Sequence, residues 1–562
     1  MALTSEPVPA SIAIARALID GGVTHVYGIP GGYTIKIFEA LRDTDGIDAV
    51  LAPSEQIAAC MADMHGRLTG RPAVLSGQGA FIAGTGSFGI MEAYLSGTPM
   101  VIITEMTDHG LPQHNATQSI TGDYESVDLP AILRAMTKFT TVATTPNEAV
   151  HGVQLALHHA LSGRPGPAAV IGRLDAFYGT ADPAGRPSYA HTIRVHDRAP
   201  TRPTPGVIAA VASRLRDAKR PVIVAGNGTH GCYDGLDALA RRAATPVVTT
   251  QKARGVLADV HPWAGGMLGP FGSPVAYGLL RQADMVLVLG SRLNPADTMM
   301  ESPDIFSVDR QNIVQVDCVA EHLGRAIPVT TGIVADMHEF LDALLPEIGV
   351  DEDVVDRRWA LLEALRSSGD DEAELAVSSS PMRPQRVVGV LNDLLGERHR
   401  LVLDAGNNRI FHYRYLKLPA PGRLHMCGGH LGMGWGPSAA IGAALLRPDD
   451  RVLSIVGDGG MQMALPALAF AAAHRLAITF IVMNNGVLGN VLDAQKAGRY
   501  AVDLPSIDYT AVAQAFGLSA RRVDNDTALD EAVRFADHLD GPALIEVMTD
   551  PAESSGQLRV RG

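Results

Sequence analysis

Cysteine is scarce. Cys60, Cys232, Cys318 and Cys427 stand singly in 562 residues, with no CxxC spacing for zinc or redox work and no density that suggests a disulfide framework. A reducing compartment fits that usage. Positive charge is also short: 46 Lys and Arg face 60 Asp and Glu, for a formal charge of -14. The chain therefore has no electrostatic reason to approach nucleic acid or an anionic membrane. No apolar run approaches the roughly 20 residues needed to cross a bilayer. The opening "MALTSEPVPASIAIARALIDGG" lacks a basic start and spaces its apolar residues as an amphipathic helix does, not as a signal peptide. The expected location is cytoplasmic.

What is present is apolar material in a regular rhythm. Apolar residues make up 46% and charged residues 19%, enough to bury nearly all-apolar parallel strands. A chain of this length exceeds one core, at roughly 150 residues per domain. Short β-branched runs alternate with Ala- and Leu-rich helical stretches, the pattern of parallel sheets covered by helices. A first set holds "THVYGIP", "PAVLSG" and "PMVIITE". A second holds "RPVIVAGNG", "TPVVTT", "ADMVLVLGS" and "NIVQVD". The third holds "HRLVLDAG", "DRVLSIVGDG", "LAITFIVMNNG" and "PALIEVM". Linker-like composition over roughly 181–205 and 351–386 separates them, although the second stretch contains the helix-like "DRRWALLEALRSS". The fold class expected is α/β, three doubly wound parallel-sheet domains spanning 1–182, 183–360 and 361–562.

In the third set, "DRVLSIVGDGG" reads as a buried strand entering a glycine turn, with a helix beginning near Gln462. Such strand ends face the ligand crevice of an open α/β sheet, and a helix start offers N–H groups to an anion. Gly457, Gly459 and Gly460 admit close backbone approach. Asp458 then supplies a carboxylate, and "FIVMNNGVLGN" brings Asn484 and Asn485 to another strand end. One acid and one amide suit Mg²⁺, which takes six oxygens and shares them with ligand phosphates. Taken singly, Asp and Asn in such places often only close turns. The pair, with 24 residues between Gly459 and Asn484, favours a metal.

That spacing resembles the signature of thiamine diphosphate (ThDP) enzymes, and the whole chain is similar to the acetolactate synthase catalytic subunits among them. The resemblance implies that Asp458, Asn485 and the carbonyl of Val487 bind the metal, and that Gly459, Gly460 and Met461 line the diphosphate. "DAGNNR" matches a further diphosphate loop and implicates Asn407 and Asn408, both of which differ from the usual acetolactate synthase residues. "CGGHLGMGWGPSAAIGAALL" aligns Met433 with the side chain that wedges the cofactor's rings into a V, with Gly432 beside it. "VYGIPGGYTIKIFEAL", with Gly31 in its glycine turn, followed by "SEQIAACMADMHGRLTG", implicates Glu55 as the acid bonded to the pyrimidine. An acid there benefits from an apolar pocket. A lone Glu in a helix's first turn is otherwise explained by the helix dipole.

Two stretches match less well. "SGQGAFIAGTGSFGIMEAY" contains a literal GxGxxG at Gly84, Gly86 and Gly89, with Glu105 further on, which read alone suggests a dinucleotide. The stretch 104–138 differs from the family where the substrate should lie, and offers Gln118, Tyr124, Glu125, His109 and His114; of these His114 and Gln118 are the catalytic candidates. The resemblance places FAD near Arg292, but "SRLNPADT" lacks a second expected Arg, which leaves FAD, another nucleotide or no ligand open for the central domain. The reaction implied is ThDP- and Mg²⁺-dependent decarboxylation of a 2-keto acid such as pyruvate, with transfer of the acyl unit to a second carbonyl. The alternatives are a related lyase, decarboxylase or acyltransferase working on a hydroxy ketone or sulfoacetaldehyde, or a silent nucleotide-binding paralogue. The partners implied are 2-keto acid or aldehyde substrates and a second subunit, in a homodimer or homotetramer with sites at the subunit interface.

Overall fold

The structure, a computed structural model, describes residues 6–107, 118–123, 125–183, 199–367 and 371–560. The chain forms two compact units. One is drawn from Met1–Arg198, Cys427–Pro448 and Gln462–Ile478, the other from Ala199–Met426, Asp449–Met461 and Thr479–Gly562.

The first unit carries a six-stranded parallel sheet in the order Asp48–Leu51, His25–Gly28, Ala73–Gly77, Met100–Glu105, Pro167–Gly172, Phe139–Ala143. Its strands Ala73–Gly77, Met100–Glu105 and Pro167–Gly172 are buried along their whole length, as strands covered on both faces must be. Helix Glu55–Thr69 packs behind it. Ser54 caps its start by accepting from Ile57 N at 3.3 Å, and Gly70 ends it at φ 66°. Against this helix lie Ser87–Ser96 and Trp435–Leu446. The glycines that spell GxGxxG have a packing explanation: Gly84 and Gly86 sit in the single wide turn Ile82–Gly86, and Gly89 within Ser87–Ser96. A Cβ on Gly89 would lie 2.5 Å from Ala59, so this glycine lets two helices touch instead of cradling a phosphate.

The second unit holds two more six-stranded sheets. The central one runs Ala264–Met267, Val247–Thr249, Pro221–Ala225, Met285–Leu289, Asn312–Asp317, Thr331–Val334, all parallel. The C-terminal one runs Leu424–Met426, His399–Leu403, Arg451–Gly457, Ile478–Asn484, Ala543–Met548, Ser519–Val523. The three-sheet α/β architecture expected from the sequence is present.

Two local readings change. Of the stretch 351–386, most is helical: Glu352–Arg366 buries Arg358, which donates to the carbonyls of Leu215 at 2.8 Å and Ala243 and Ala218 at 2.5 Å. A guanidinium serving helix-end carbonyls makes this segment part of the central domain's structure. The helix after the GDG turn begins at Asp458 itself, not near Gln462, which puts the carboxylate in the first turn. The first linker falls partly on 184–198, outside the described residues.

Candidate functional site

In the C-terminal sheet, strands Arg451–Gly457 and Ile478–Asn484 are neighbours, so both motifs open at one sheet end. Asp458 is 5% exposed. Its Oδ1 accepts from Gly459 N at 2.8 Å and its Oδ2 from Gly486 N at 2.7 Å, while the buried Tyr509 hydroxyl donates to its carbonyl at 2.7 Å. Burial raises the Asp458 carboxyl above the usual range, and the N–H groups of Gly459, Gly486 and Asn485 pull the other way. Asn484 joins sheet and loop, its Nδ2 donating to Glu546 at 2.8 Å and its Oδ1 accepting from Gly486 N at 3.1 Å; Asn485 Oδ1 accepts from Val487 N at 3.1 Å. The two Asn residues are thus distinct: the first is a brace between sheet and loop, and the second bonds only within the loop. No cluster of three or more His, Cys, Asp or Glu among the described residues could hold a metal.

Gly460 has no room for a side chain, since a Cβ would meet Asp404 Oδ2 at 2.2 Å. Met461 is fully buried behind it. The turn 404–406 and the first turn of helix Asn407–Tyr415 reach the same end of the sheet. Asn407 is committed to protein partners: its Nδ2 donates to Asp493 Oδ2 at 3.0 Å and its Oδ1 accepts from the Ser555 hydroxyl at 3.0 Å. Asp493 also accepts from Ser555 N at 2.9 Å. Asn408 differs, being 6% exposed with neither amide atom hydrogen-bonded, and its Nδ2 lies 3.7 Å from where a Cβ on Gly457 would stand. A buried amide without partners is costly unless a ligand satisfies it. One beside a glycine turn at a strand end fits a diphosphate.

Asn408→Ala should therefore act in opposite directions on the two states. Removing an unsatisfied amide is expected to leave the melting temperature of the cofactor-free protein unchanged or higher. Affinity for ThDP with Mg²⁺ should fall about tenfold, the loss of one hydrogen bond of roughly 1.4 kcal/mol. Calorimetric titration and thermal unfolding of both proteins check this; unchanged affinity would remove Asn408 from the site.

The first unit places Glu55 at the first position of its helix, 9% exposed, with Oε2 accepting from Thr85 Oγ1 at 3.5 Å. Gly77 and Gly86 flank it, their Cβ positions each 3.7 Å from its side chain. Gly31 lies at the neighbouring strand end, packed on Gln78, whose Nε2 donates to Gln118 Oε1 at 3.0 Å. Gln118 has a φ of 64°, a conformation that a residue other than glycine adopts under local constraint. His109, His114 and Tyr124 lie outside the described residues. Glu105, 1% exposed, accepts from Thr107 Oγ1 at 3.0 Å. It terminates a strand, and nothing in that setting resembles a ribose contact.

Gly432 and Met433 sit in a loop fastened by Glu92. That carboxylate accepts from Gly428 N at 2.9 Å, Gly429 N at 2.8 Å, His430 N at 2.9 Å and Arg67 Nη2 at 2.7 Å. Arg67 also binds Asp63 at 2.9 Å and stacks over the Trp435 ring at 4.7 Å, and Trp435 Nε1 donates to Asp63 at 3.0 Å. Sequence reasoning missed Gln78, Thr85, Glu92, Asp404, Asp493, Tyr509 and Ser555. Gln78, Thr85 and Glu92 fall within the glycine-rich stretch 76–94 and Asp404 within "DAGNNR", but each of the seven acts by a contact far along the chain, which no motif displays.

Comparison with known proteins addresses the family directly. Three descriptions match in sequence order: "Thiamine pyrophosphate enzyme, N-terminal TPP binding domain" over 10–127, the central domain over 208–344, and the C-terminal TPP binding domain over 404–547. The chain belongs to the thiamine pyrophosphate enzyme family. Among similar members is the acetolactate synthase isozyme 1 large subunit of Escherichia coli, 29% identical over 96% of this chain and 94% of its own. The mitochondrial acetolactate synthase catalytic subunit of Aspergillus candidus is 28% identical over 95% of this chain and 79% of its own. So is the putative thiamine pyrophosphate-containing protein YdaP of Bacillus subtilis, over 95% and 91%. As a thiamine pyrophosphate enzyme resembling acetolactate synthase catalytic subunits, the protein acts on small molecules. Among the described residues no helix is long and apolar enough to cross a membrane.

Proposed function

We propose that the protein decarboxylates a 2-keto acid of the pyruvate type and transfers the acyl unit to a second carbonyl compound. ThDP, when bound, supplies the electron sink for this chemistry. Asn408 and Gly457–Met461 receive the diphosphate, with Asp458, Asn485 and the Val487 carbonyl holding Mg²⁺. Gly31 and Gly432 accommodate the cofactor, Met433 supports its bent form, and Glu55 hydrogen-bonds the pyrimidine. Asn407 serves the site indirectly, by fixing the helix start that carries Asn408. Gln118 and His114 remain the catalytic candidates for the substrate, His114 from the sequence alone. A homodimer or homotetramer, the domain borders at 182 and 360, and a cytoplasmic location belong to the same reading.

The observation that carries it is the buried carboxylate of Asp458, accepting from the loop N–H groups of Gly459 and Gly486, at one sheet end with Asn485 and the unpartnered Asn408 amide. One acid among the three proposed ligands leaves the positive charge of a bound cation for phosphate oxygens. Incubating the pure protein with ThDP, Mg²⁺ and pyruvate, and identifying the products, tests it. Acetolactate is expected. Bound ThDP with no loss of pyruvate would overturn the donor assignment. FAD in the central domain is a separate element, read from the flavin absorbance of the purified protein.

A further inference from the structure

The loop carrying Met433 contains an imidazole in an unusual setting. His430 Nδ1 lies 2.9 Å from Glu92 Oε2, while His430 Nε2 is buried and has no hydrogen-bond partner. Burial opposes charge on Glu92, but His430, Arg67, Ser96 and Gly429 outweigh it and hold the carboxyl far below the usual range. An ionised carboxylate can only accept, so the ring's Nδ1 donates to Glu92 and Nε2 is the nitrogen left for exchange of a proton. A carboxylate that orients a histidine and offsets its charge is the arrangement by which proteins make imidazole an acid–base group.

Three further observations place the ring and its loop. The imidazole packs on Gly432, with Cε1 2.8 Å from where a Cβ would stand, and its ring centroid is 4.7 Å from that of Phe88. Leu431, next in the chain, is held at φ 60° with its side chain largely exposed, strain of the kind that persists where the surroundings fix a functional loop. The helical stretch that presents Phe88 to His430 also presents Thr85 to Glu55, three residues earlier. The charged groups around the ring are Glu92 directly, with Arg67 and Asp63 behind it. A wholly structural histidine would be expected to use both ring nitrogens when buried.

We propose that His430 and Glu92 form an acid–base dyad serving the cofactor site to which Gly432 and Met433 are assigned. The proposal rests on the cofactor reading given above. Nε2 takes the proton leaving the donor-derived hydroxyl and passes it to the acceptor-derived oxygen, which becomes the product hydroxyl. One O–H bond breaks, one forms, and the ring ends unchanged with Nδ1–H still on Glu92.

His430→Asn separates the two roles of the ring, because an amide nitrogen reaches the place of Nδ1 and keeps a donor for Glu92 while Nε2 is lost. The expected result is a melting temperature and ThDP·Mg²⁺ affinity close to wild type, with ligated product formed about 10- to 100-fold more slowly. The ratio of ligated product to free aldehyde should fall, and one limb of the pH–rate profile should disappear. Glu92→Asp, which keeps the charge but withdraws it by one methylene, should shift the same ratio less. An unshifted ratio in either folded variant overturns the dyad. Wild-type protein that binds no ThDP·Mg²⁺ would instead sink the underlying site reading, and the dyad with it.

Discussion

Glu55→Gln is expected to lower turnover by about 10³-fold, within the range by which a positioned acid–base group contributes, with ThDP·Mg²⁺ affinity changed little. Glutamine preserves the length of the side chain and one hydrogen-bonding oxygen, so the Thr85 hydroxyl at 3.5 Å retains a partner. What is lost is the capacity to share a proton with a ring nitrogen. The position suits that role: Glu55 is 9% exposed, at the mouth of a helix whose start is already capped by Ser54. The ordinary service of a first-turn acid is to complement the helix dipole, worth about 0.3–1 kcal/mol. If that were its whole function, the substitution would move stability slightly and turnover not at all. Steady-state rates of keto acid loss beside calorimetric affinities separate the two; wild-type turnover would end the assignment.

The second large effect concerns stability. Arg67 stands between the carboxylates of Asp63 and Glu92, at 2.9 Å and 2.7 Å, with its side chain 16% exposed and both acids fully covered. Burial raises the Asp63 carboxyl to about 6 despite Arg67, and Glu92 adds to the rise. Arg67→Met keeps much of the volume but leaves two buried acids facing each other without a cation. A loss of about 3–5 kcal/mol in unfolding free energy is expected, the size seen when one partner of a buried ion pair is removed. Denaturant unfolding at neutral pH measures it. A change below about 1 kcal/mol would mean that the acids are neutral or hydrated in the folded protein.

The strands that could be read from the sequence were those whose burial leaves a mark in composition. "PMVIITE" became Met100–Glu105 and "DRVLSIVGDG" became Arg451–Gly457, both inner strands. Edge strands were not visible. Phe139–Ala143 and Ser519–Val523 are half-covered and carry Thr or Arg, so neither alternation nor an apolar run betrays them. Pro167–Gly172 is fully buried but Ala-rich, and alanine carries little strand preference. The placement of Asp458 and Asn485 at neighbouring strand ends was legible because in each motif the strand runs directly into its glycine turn. The division of labour between Asn407 and Asn408 was not. It depends on Asp493 and Ser555, which are 86 and 148 residues away from Asn407.

The clamp on the 427–430 loop joins Glu92 to a backbone amide 336 residues later. During synthesis the N-terminal sheet emerges long before its carboxylate has those donors. The compact unit to which both belong is assembled from three separate stretches of chain. A fragment ending at residue 198 would expose the helix face that Trp435–Leu446 covers, and would strand two acids around one arginine. This unit therefore emerges from the ribosome unfinished, and its completion waits on the last third of the polypeptide. In a cell, the nascent first third carries that uncovered face and needs protection from premature aggregation.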